Sequence, residues 1–142
     1  MKIPFVLGRM AFGGFFLYNG INHFRNRESL AQYAASKKIP APDAAVTASG
    51  ALLVAGGASM ILGLKPKYGA LAIIGFLAGV SPLIHDFWSA SDETQRMNDM
   101  VNFTKNMALL ASALAFMGVE EPWPVSVSKG KDLGRSIRRI AA

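Results

Sequence analysis

"VTASGALLVAGGASMILGL", residues 46–64, carries no charge anywhere along its length, and its reading decides the fold. A helix rises about 1.5 Å per residue, so roughly 20 such residues cross a hydrocarbon core of about 30 Å. Three further blocks, residues 3–22, 68–84 and 101–119, have the same apolar character. A helix of a water-soluble bundle carries a polar stripe, and the middles of these blocks show almost none. In lipid the backbone must satisfy its own hydrogen bonds, which favours helices over open strands. The expected fold class is all-α: an integral membrane four-helix bundle over residues 1–122, with a short basic C-terminal tail over residues 123–142. The first block reads as a retained helix, because Arg9 interrupts it and no Ala-x-Ala cleavage site follows at a suitable place.

The 142 residues suit one domain, 51% of them hydrophobic and 17% charged. There is no cysteine, which excludes disulfides, thiol chemistry and cysteine-ligated iron–sulfur clusters. With four spans both termini share a side. That side holds Lys2, Lys65, Lys67, Lys129, Lys131, Arg135, Arg138 and Arg139, and the other holds Arg25, Arg27, Lys37, Lys38 and Arg96. The excess of basic residues places both termini in the cytoplasm. The net charge of +6 is thus a topology signal. Nucleic acid is not an expected partner, since no basic patch is interleaved with stacking aromatics.

In the tail, Leu133, Ile137 and Ile140 recur at i, i+4 and i+7 with Arg135, Arg138 and Arg139 between them. The pattern suits a short helix lying among anionic lipid headgroups, and equally a disordered basic tail. Trp123, just past the fourth block, reads as an interfacial anchor. Arg9 lies inside the inner boundary, where Glu120 or Glu121 is its expected partner.

Small residues let helices approach closely in lipid. Ala51, Ala55, Ser59 and Gly63 form one i+4 series, and Gly75 and Gly79 another. Either series can serve packing within the chain or against another membrane subunit. Between the first two spans, "NRESLAQYAAS" is expected to form a helix capped near Asn26.

The chemistry-bearing residues gather at the outer ends of the spans. The first contributes Asn19, Asn22 and His23 at i, i+3 and i+4, and the fourth Asn102, Lys105 and Asn106 at the same spacing. The third ends in His85, Asp86, Phe87 and Trp88. Polar groups at membrane depth usually face a protein interior or a wet cavity, so these residues are expected to line a pocket. Asp86 is the expected counter-ion of Lys105. Plainer readings stand beside each: interfacial histidines met by water, a lysine snorkelling outward, aromatics belonging to the interfacial belt. Two histidines could ligate a haem axially, though no other haem feature accompanies them. A non-haem metal would want more ligands than His23, His85 and Asp86 supply. No nucleophile with its base, phosphate loop or carboxylate pair is visible, so the isolated chain is not expected to be an enzyme.

In order along the chain, "GRMAFGGFFLYNGINHF", "KKIPAPDAA", "SGALLVAGGASMILGL", "HDFW" and "NFTKNMALLASAL" together resemble the DoxX family of small bacterial membrane proteins. The resemblance spans about residues 3–119. Lys38 stands where the family often shows glycine before the "IPAP" residues. The resemblance implies a four-helix membrane bundle associated with membrane redox complexes, the family's name coming from a subunit of a thiosulfate:quinone oxidoreductase. Some of the wider group are assembly chaperones. The reading that follows is an accessory subunit of a quinone-linked membrane complex. His23, His85, Asp86, Trp88, Asn102, Lys105 and Asn106 are its candidate binding residues, and a quinone is its candidate ligand. The alternative is a structural or assembly subunit whose polar cluster only locks the helices together.

Overall fold

A computed structural model describes residues 3–127; the expected surface helix of the tail falls outside the described residues. Five helices and no strand occur among them: α1 (Ile3–Arg25), α2 (Arg27–Ser36), α3 (Pro42–Leu62), α4 (Pro66–Ile84) and α5 (Glu93–Met117). Proline opens α3 and α4 in the first turn, where its missing N–H has no intrahelical partner to lose. Asp92 caps α5 by accepting from the Gln95 N–H at 2.7 Å. Gly63 ends α3 in the left-handed region at φ 60°, which glycine enters without a Cβ clash. The expected α2 is present, beginning after Asn26. The Asn26 side chain donates to Asn22 Oδ1 and makes no capping bond.

α3, α4 and α5 are long and apolar enough to cross a membrane. α1 matches them in length, but Arg9 and the polar stretch from Asn19 to Arg25 lower its mean hydropathy and keep it out of that set.

α1 packs on α3, α3 on α4 and α4 on α5, while α2 lies across the start of α3. Backbone approach sets the first contact. A Cβ added at Gly57 would stand 2.5 Å from the Leu17 N atom, so only glycine lets α1 and α3 come this near. The expected series holds in part: Ser59 lies against Gly69 of α4 and Gly63 is buried, but the other two members do not pack. Ala51 and Ala55 are exposed, whereas Gly50 and Gly57, offset around the helix, carry the contact with α1. Gly75 and Gly79 meet nothing within 4 Å of an added Cβ, and Gly69 is the α4 glycine pressed against α3.

At the end of the bundle holding Ile3 and Met117, Phe5 and Phe12 of α1 meet Phe116 of α5, and Trp123 stacks edge-on against Phe5. Trp123 is fully buried and belongs to the main core, which corrects its reading as an interfacial anchor. Chain reversal after Gly118 folds the segment back over the bundle end and offers the indole a drier site than the interface. Arg9 lies under the same cover. It donates to the Val125 carbonyl and sits over the Trp123 ring at 5.8 Å, so neither Glu120 nor Glu121 is its partner among the described residues. A carbonyl and a π face are what the returning segment brings to a side chain only 1% exposed.

Candidate functional site

At the other end, the helices diverge around a cavity of about 520 Å³, within the range of small-molecule sites. α1 supplies Asn19 and His23, α2 supplies Tyr33, the end of α4 supplies His85, and α5 supplies Lys105 and Asn106. Leucine, valine and phenylalanine side chains make most of the remaining wall. Four of the seven candidate residues are thus brought to one cavity: His23, His85, Lys105 and Asn106. Asp86, Trp88 and Asn102 stand off it. Trp88 is 57% exposed and joins Phe87 and Phe103 in an edge-to-face cluster beside the rim. Asn102 accepts from Lys105 Nζ at 2.9 Å.

Behind the wall lies an ion-pair network that the sequence reading did not assemble. Lys37 Nζ donates to Asp86 Oδ1 at 2.5 Å and to Asp99 Oδ2 at 3.2 Å, and the other oxygen of Asp99 faces His85 Nδ1 at 3.2 Å. Asp86 is therefore the counter-ion of Lys37 and not of Lys105. Lys105 lies six residues beyond Asp99, about 9 Å deeper along α5, which removes it from the rim. Burial works against the Lys37 ammonium, but its hydrogen bonds to Asp86 and Asp99 outweigh this and hold its pKa above the ordinary lysine value. The same bond from Lys37 holds the Asp86 carboxyl below the usual carboxylate range, against opposing desolvation. The second histidine is also tethered: His23 Nδ1 lies 3.0 Å from Ser49 Oγ, and that hydroxyl donates to the Val46 carbonyl.

Asp99 left a signal in the sequence. Asp99, Asn102 and Asn106 recur at i, i+3 and i+7, which puts the carboxylate on the polar face of α5. Lys37 left none, since its partners lie 49 and 62 residues away.

A family model for DoxX matches residues 5–86. The chain belongs to the DoxX family. A search of curated proteins gave no match, and neither did a search of solved structures. The DoxX match runs from α1 through α4 and takes in His23, Lys37, His85 and Asp86. Asp99, Lys105 and Asn106 stand on α5, beyond it. The cavity of this DoxX protein thus has one polar wall inside the family match and one outside it. Each histidine has its Nδ1 engaged by protein, His23 by Ser49 and His85 by Asp99. No group of three or more metal-binding side chains occurs among the described residues.

Proposed function

We propose that this DoxX protein is an accessory subunit of a quinone-linked membrane redox complex, with the rim cavity holding the head group of a lipid-borne quinone. The observation that carries the reading is the convergence of His23, His85, Lys105 and Asn106 on one largely apolar cavity. A quinone ring needs apolar walls and a few fixed polar contacts, and its tail needs a way into lipid. The ring contacts joining α1 to α5 all lie at the opposite end, by Phe5, Phe12 and Phe116. In this reading α1 is the fourth span, both termini are cytoplasmic and the cavity opens toward the outer leaflet of the inner membrane. Partner subunits contact the exposed apolar faces, and the basic tail meets anionic headgroups.

A structural or assembly role is the second reading, favoured by the Lys37 bridges that fasten α2 to α4 and α5. Purification in mild detergent, with extraction of bound isoprenoid quinone and identification of co-purifying subunits, separates the two. The quinone reading expects bound quinone in the parent and its loss in His85→Ala, with helicity and monodispersity unchanged. Equal retention by both proteins sinks it.

A further inference from the structure

The hydrogen-bond polarity of the cavity wall is fixed by what stands behind it. Asp99 does not line the cavity, although His85 does. A carboxylate that already accepts from the Lys37 ammonium accepts again from His85, so wherever the ring holds a single proton that proton is on Nδ1. Nε2, the nitrogen that Asp99 does not hold, is then a lone-pair acceptor. His23 reaches the same state by a different route. The Ser49 hydroxyl has one hydrogen and donates it to the Val46 carbonyl, so toward His23 Nδ1 it is an acceptor. The Nε2 of His23 is likewise an acceptor. Asn19 spends one Nδ2 hydrogen on the Phe15 carbonyl at 2.7 Å and keeps its second N–H and its Oδ1, so it serves a donor or an acceptor alike.

We infer that the cavity selects a ring head group bearing hydroxyls, the quinol or dihydroxy-aromatic class, over the corresponding quinone. The inference rests on the reading of this cavity as a quinone-type site. Quinone carbonyls only accept hydrogen bonds, and would leave the histidine lone pairs desolvated and unmatched. Quinol hydroxyls donate to both. Asp99 stands behind the cavity wall and Ser49 is part of it; both act as positioning residues that set the histidine tautomers, and through them the preferred redox form of the occupant. Lys105 and Asn106 supply donors to the oxygens of either form, and so contribute affinity without this discrimination.

The test is a binding titration of the full chain in lipid nanodiscs, with empty discs as the blank. Three probes share one ring and one decyl chain: a benzoquinol, its quinone and its dimethyl ether. The parent is expected to bind the quinol at least about tenfold more tightly than either of the others, as two matched hydrogen bonds imply. Asp99→Asn presents an amide N–H to Nδ1 and moves the ring proton to Nε2, which should shrink or invert the ratio. Ser49→Ala tests His23 independently of the ion-pair network and should also lower the ratio. Nitrogen-15 NMR of the parent should find both ring protons on Nδ1. Equal or tighter binding of the quinone, or protons on Nε2, overturns the inference while leaving a quinone-type site in place. Binding of none of the probes above the blank overturns the site and the inference together.

Discussion

Lys37 and Asp99 are 62 residues apart in sequence and 3.2 Å apart in space, with side chains 12% and 5% exposed. The lysine closes α2, and the aspartate stands on α5 behind the histidine that ends α4. One ammonium thus fixes the roof of the cavity to its far wall. Its second bond, to Asp86, neutralises a second carboxylate that would otherwise face Asp99 across the rim.

Removing that ammonium leaves two carboxylates without a cation. Lys37→Met is expected to destabilise the protein by about 3 kcal/mol, the lower end for a broken buried pair because Asp86 is partly exposed. Asp86→Asn on the Lys37→Met background should recover part of the loss. Chemical unfolding in detergent, followed by helicity, measures both. A Lys37→Met protein as stable as the parent would mean that α2 is not held by this bridge.

The pH dependence of the bridge follows from the directions of its shifts. Asp86 is depressed below its ordinary 3.8, so its contribution is present above that value and lost as pH falls through the lower folded pKa. Lys37 is raised above 10.5, so its contribution is complete below that value and lost as pH rises through the higher folded pKa. The stability difference between parent and the Lys37→Met, Asp86→Asn protein should therefore be level from about pH 5 to 9 and collapse on both flanks. A slope within that window would assign the stabilisation elsewhere.

Lys38 sits at φ 59° at the end of α2, with its N–H on the Ala35 carbonyl and the Ile39 N–H on the Ala34 carbonyl. That is the hydrogen-bond pattern of a helix terminator in which glycine is favoured at the left-handed position. Lys38→Gly is expected to raise stability by about 1 kcal/mol, since only residues with a Cβ resist that conformation. Differential scanning calorimetry of the two proteins decides it, a fall in midpoint counting against the strain.

The glycines of the bundle separate into two kinds that a paired alanine scan should distinguish. Gly57→Ala forces a Cβ against the α1 backbone and should cost about 1 to 3 kcal/mol. Gly75→Ala meets open space and should be neutral or stabilising by up to about 1 kcal/mol, the gain in helix propensity. Similar losses at both positions would show that α4 packs more tightly than its surroundings indicate.

The sequence by itself determined the helices. Block length, absence of charge, Pro42, Pro66 and the residues at the turns act locally, so α3, α4 and the helix after Asn26 could be read from their own residues. It also brought His23, His85, Lys105 and Asn106 toward one end, because helical periodicity and alternating direction fix depth and face. Periodicity does not fix which neighbour a face meets. Ala51 and Ala55 looked as suited to packing as Gly50 and Gly57, and only the crossing of α1 on α3 chose between them. Nor does it fix how charges pair once several occupy one rim. Asp86 found Lys37 instead of Lys105 because α2 folds across α3 and delivers a lysine from the loop side. Trp123 and Arg9 met because the chain turns back after α5. Ion pairing and aromatic burial act over a few ångströms whatever the separation along the chain, so these partnerships were decided by the tertiary structure.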